Sequence, residues 1–129
     1  MSNLQTPRVP VSWGELIDKL TILEIKRVRI ADAAAVGNVE REQRYLEEIF
    51  QALASDKVVH ALKARLLEIN QQLWDVEDRI RDCEKAADFG DGFIALARSV
   101  YQLNDRRAAV KREINLHLRS ELIEEKSYH

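Results

Sequence analysis

The chain has 129 residues, 20 of them Lys or Arg and 22 Asp or Glu, so its formal charge is −2 and no global field draws it to nucleic acid or to an anionic membrane. Hydrophobic residues are 46% and charged residues 33%, with four glycines and two prolines, a mixture that suits long amphipathic helices and argues against disorder or a β-sandwich. Cys83 is the only cysteine, so no internal disulfide forms, and no stretch approaches the roughly 20 apolar residues of a membrane span. A soluble, unprocessed, cytoplasmic protein of one domain over residues 1–129 is the expectation.

Residues 1–11, with Pro7 and Pro10, read as an extended arm, because proline and the residue before it both resist helix. Ser12 and Glu15 then form an S-x-x-E capping box, and Val11 before the cap with Leu16 after it supplies a hydrophobic staple. The helix they open runs to about Ala35, where Gly37 and Asn38 offer a left-handed stop. A shorter second helix, near Val39 to Ala54, gathers Val39, Tyr45, Leu46, Ile49, Phe50 and Leu53 on one side.

Ser55 or Asp56 caps a long third helix, in which Val59, Leu62, Leu66, Ile69, Leu73, Val76, Ile80 and Cys83 recur three and four apart. The turn "KAADFGDGF" ends this seam, and a fourth helix repeats its spacing with Phe93, Leu96, Val100, Leu103, Arg107, Val110, Ile114 and His117. The fold class is therefore all-α with four helices: a long antiparallel helical hairpin and the N-terminal helix packed along it. The last ten residues, "SELIEEKSYH", have weak periodicity and read as a tail that frays or folds back.

Polar residues interrupt the apolar faces. In the first helix Trp13, Leu16, Ile17, Leu20, Leu23, Val28 and Ile30 span a wide arc, and Glu24 and Arg27 fall near its middle. In the third, Asn70 and Glu77 lie between the seam and a flanking stripe of Leu67 and Trp74; in the fourth, Asn104 and Arg107 sit among Val100, Leu103, Ala108 and Tyr101. Pairing Cys83 with Phe93 across the hairpin brings Asn70, Glu77, Asn104 and Arg107 into neighbouring layers. Glu24, Arg27, Asn70, Glu77, Asn104 and Arg107 thus form a charge-balanced candidate cluster, since an unpaired buried charge costs several kcal/mol. One reading is a network that fixes helix register. The other is a site where Arg27 and Arg107 take a small carboxylate or phosphate ligand while Glu24 and Glu77 orient them or move protons.

Other motifs carry less. Asp75, Asp78 and Asp82 have helical spacing that could hold a hard cation, but Arg79 and Arg81 between them make this a solvated charged face. "RRAAVKR" lacks the aromatic interleaving of a nucleic-acid surface, and "DFG" at Asp88 to Gly90 stands without the other kinase elements. The paired E-x-x-H ligands of di-iron bundles are missing, His60, His117 and His129 are scattered, and neither cofactor nor metal is implied. His117, on the seam, reads as a partly buried core histidine.

The stretches "GELIDKLTILEIK", "LWDVEDRIRDCE", "FIALARSVYQLNDRRAAVKREIN" and "EEKSY" together resemble a family of short bacterial proteins known only as a domain of unknown function. The resemblance covers nearly the whole chain. It implies a bacterial helical protein and brings no activity, substrate or catalytic residue.

The favoured function is a non-catalytic helical interaction or assembly module, with a small-anion binding protein or enzyme built on the Arg/Glu cluster as its rival. Ile22 and Ile25 lie outside the main arc and Trp74 flanks the seam, so a homodimer is expected. A protein partner and a small anionic ligand are the other candidate partners. Replacing Ser12 with alanine should expose the amides it caps and lower stability by about 1 kcal/mol, read from chemical denaturation.

Overall fold

The computed structural model describes residues 4–123 and Glu125, in which four helices follow an irregular N-terminal arm and no strand occurs. They are α1 (Trp13–Arg29), α2 (Ala33–Phe50), α3 (Lys57–Lys85) and α4 (Asp91–His117), with one short 3-10 turn, Gln51–Leu53, between α2 and α3. Half of the C-terminal tail for which fraying or folding back was expected, residues 124 and 126–129, lies outside the described residues.

Local capping sets where the helices begin. The Ser12 hydroxyl accepts the Glu15 amide at 3.0 Å, the serine half of the capping box, while the Glu15 carboxylate accepts from Lys111 at 2.8 Å. The first break falls earlier than the glycine signal suggests. Ile30 and Asp32 are extended, with ψ of 129° and 121°, and the Asp32 carboxylate accepts the Ala35 amide at 3.0 Å. α2 therefore opens at Ala33, and Gly37 and Asn38 lie inside it rather than ending α1. An interior glycine costs roughly 1 kcal/mol, which an aspartate cap of similar worth offsets. For α3 the cap is Asp56, which accepts the Val59 amide at 3.0 Å.

α3 and α4 end alike. Ala87 and Arg119 each take φ of 52°, and the following amides reach back five residues, Asp88 to the Cys83 carbonyl at 2.9 Å and Ser120 to that of Asn115 at 2.8 Å. These are Schellman closures built without the glycine that normally favours the left-handed position. The second one holds Ser120 where its hydroxyl accepts the amide of Trp13, at the start of α1.

α1 is the central element, in contact with α2, α3 and α4. Leu16, Ile17 and Leu20 pack with Phe50 of α2, with Val59, Leu62, Leu66 and Ile69 of α3, and with Leu103, Val110 and Ile114 of α4. Ile25 is also buried, at 4% exposure, while Val28, placed in the apolar arc from sequence, is 81% exposed. On α2 the inward side is narrower than its pattern suggests: Tyr45 and Ile49 are exposed, and Gln43 is buried with its amide donating to Glu47.

α3 makes most of its contacts with α4. A polar contact of Asp56 with His117 Nε2 at 3.0 Å and an ion pair of Arg65 with Glu113 at 3.0 Å set the end of α4 beside the start of α3. His117 is thus a surface partner for the α3 cap rather than a core residue. The seam is buried only along half its length. From residue 71 to residue 102 no side chain is fully buried; Leu73, Val76, Ile80, Cys83, Phe93, Leu96 and Val100 are partly buried, with Leu73 and Val76 still packed against the core. Every buried residue of α3 precedes this stretch and every one of α4 follows it, so the far half of the pair extends beyond the helices that cover the near half. Among the described residues no helix is long and apolar enough to cross a membrane.

The Asp56 carboxyl is held below the ordinary aspartate value of 3.8, first by the Val59 amide and then by His117. A depressed pKa contributes stability that is present above the unfolded value and is lost as pH falls through the folded one. The wild type should therefore exceed Asp56→Asn in melting temperature at pH 5, and that margin should shrink steadily below about pH 3.8 in calorimetric scans.

Candidate functional site

Gly14, Asp18, Thr21 and Ile25 recur three and four apart on α1 and form a second buried stripe beside the leucine and isoleucine face. Asp18 is 1% exposed. From α4, Arg107 meets it as a fork, with Nε donating to Oδ1 at 2.9 Å and Nη2 to Oδ2 at 2.5 Å. From α3, the Asn70 amide donates to Asp18 Oδ1 at 2.9 Å and to the Thr21 hydroxyl at 2.9 Å. The Thr21 hydroxyl in turn donates to the Asp18 carbonyl at 2.6 Å. One carboxylate thus ties three helices together, and the bidentate charge-assisted geometry is the strong form of such a bond.

The layer continues toward the start of α1. Lys111 donates to Glu15 at 2.8 Å and stands 4.0 Å from Asp18 Oδ2. One turn further on, Asn115 accepts the Gly14 amide at 2.7 Å, so α4 side chains help satisfy the first amides of α1. This closeness depends on Gly14 lacking a side chain: a Cβ there would lie 2.6 Å from the Lys111 carbonyl oxygen. Among the described residues no buried side-chain nitrogen or oxygen lacks a partner.

Of the six residues read from sequence as one cluster, Asn70 and Arg107 meet at Asp18, and Asn104 accepts Arg107 Nη1 at the edge, at 3.5 Å. Glu77 stands on the rim of a groove lined also by Asn70, Asn104 and Arg107. Glu24 and Arg27 do not join. Glu24 faces the beginning of α3, where it pairs with Lys63 at 2.7 Å, and Arg27 is exposed in the final turn of α1. The residue that sequence reasoning passed over is Asp18, the natural partner of Arg107. Its signal was present in the spacing of Gly14, Asp18, Thr21 and Ile25, which the leucine-rich arc overshadowed.

Two clefts flank Arg107. One, of about 560 Å³, is bordered by Glu15, Tyr101, Asn104, Lys111 and Arg112; the other, of about 380 Å³, by Ile22, Leu73, Trp74, Glu77, Asp78 and Arg81. In the first, each cation already faces a carboxylate: Arg107 has Asp18, Lys111 has Glu15, and Arg112 has Glu125 at 3.0 Å. A small anion there would have to displace one of them. Among the described residues no group of three His, Cys, Asp or Glu side chains is arranged to hold a metal ion. The Asp75, Asp78 and Asp82 face has no such arrangement, and Asp75 is instead paired with Arg29 at 2.9 Å.

Residues 7–129 match the model of a protein family described as a family of unknown function (DUF6165), and the chain belongs to that family. No curated protein and no solved structure matches it.

Removing one member of a buried, hydrogen-bonded charge pair strands the other. Arg107→Ala should lower unfolding free energy by about 3–5 kcal/mol. Replacing both Asp18 and Arg107 with leucine should recover much of that loss, and urea denaturation of the two single variants and the double variant completes the cycle.

Proposed function

We propose that this member of the family is a non-catalytic helical module for assembly, working as a homodimer in a bacterial cytoplasm. The observation that carries the reading is the contrast between its two ends. Around Asp18 the polar groups are consumed by one another, leaving no uncommitted acid, base or nucleophile, as a register-fixing network would. Across residues 71–102 the apolar seam is only partly buried, the kind of surface that interfaces cover.

The rival reading, a binder of small phosphates or carboxylates, draws on the cleft beside Arg107 and Lys111. It requires an existing ion pair to open for each ligand. Sedimentation velocity should show a dimer in the micromolar range, and a monomer persisting toward millimolar concentration would overturn the assembly reading. A melting temperature raised by inorganic phosphate or a simple carboxylate in the same samples would favour the rival.

A further inference from the structure

The groove of about 380 Å³ where α1, α3 and α4 meet has Ile22, Leu73 and Trp74 among its lining, a charged α3 side of Glu77, Asp78 and Arg81, and Arg107 on its α4 side, held by Asp18. Lys19, Arg29, Lys63 and Arg65 each hold a carboxylate within their own chain. Glu77, Asp78 and Arg81 form no ion pair or side-chain hydrogen bond with any other described residue. The groove also lies where the seam ceases to be covered, since Leu73 and Trp74 follow directly on the last buried residues of α3, Ile69 and Asn70.

We infer that this groove is the self-association surface, occupied in the dimer by the same face of a second copy; the inference rests on the assembly reading above and assigns it to particular residues. The charge pattern supplies the reason for choosing a second copy. A two-fold interface presents one patch to itself, so each residue type must find its complement on the identical patch. Glu77 and Asp78 lie four and three residues before Arg81 on the same helix, so opposed copies can set each Arg81 against an acid of the other, two ion pairs in all. A partner of single charge would meet like charge somewhere on this side. The apolar lining suits the centre of such a contact, because tryptophan flanked by aliphatic residues and ringed by charge is the usual composition of an interface hot spot.

The pattern dictates a charge-swap experiment. Glu77→Arg with Asp78→Arg makes the α3 side of the groove wholly basic, and Arg81→Glu makes that side wholly acidic. The substituted groups have no partners within the chain, so circular dichroism should show unchanged helicity; where the double variant loses helicity, Asp78→Arg alone takes its place. Each variant alone should dimerise at least tenfold more weakly than wild type in sedimentation equilibrium, and an equimolar mixture should form a heterodimer at wild-type concentration. A wild-type dimer that both variants retain separately, with no preference for the mixed species, would overturn the groove assignment and leave the assembly reading standing. A monomeric wild type would overturn both.

Discussion

The Asp18 carboxylate is the constraint on which the arrangement of α1, α3 and α4 depends. A charge 1% exposed is tolerable only where donors surround it, and they come from two other helices, Arg107 as a planar fork and Asn70 as a single amide. Hydrophobic burial alone would tolerate a slide of one helix past another by a turn. The fork does not, because both of its bonds require one separation and one rotation of α4 relative to α1. Gly14 imposes the matching steric condition one turn away, where backbone carbonyl and helix surface come too close for any side chain.

Much of this was legible in the sequence, for identifiable reasons. The existence of four helices follows from seams spaced three and four apart and from short polar side chains at their starts, both local properties. The boundary between α1 and α2 was misplaced because Gly37 and Asp32 give opposing signals of similar strength, and only the extended backbone at Ile30 decides between them. The site was half legible. Asn70, Asn104 and Arg107 stand out as polar residues in apolar stripes on two helices with a predictable register. Glu24 and Arg27 stand out equally on α1 but lie near its exposed end, where long side chains reach Lys63 or solvent. The angular pattern of a helix records which side faces inward and says nothing about how far along its length the cover extends. That extent is a property of the neighbours.

The same limit explains the seam of α3 and α4. Its heptad spacing continues to Cys83 and back from Phe93 without any change in composition, yet α1, with Phe50 from the end of α2, covers only the near half. Uniform sequence therefore yields two environments, one where α1 lies on the pair and one where α3 and α4 have only each other.

This division sets a gradient of local stability along α3 and α4. Opening free energy for a backbone amide scales with the apolar packing that must be undone to free it. The far half can fray from the turn at Ala87 inward, breaking its hydrogen bonds while Leu66, Val110 and Ile114 remain packed. Amide hydrogens there would exchange through sub-global openings, and those facing Asp18 only with complete unfolding. A surface held by such a segment is ordered in part by whatever it meets, so the body beneath keeps its shape whether or not the far half is engaged.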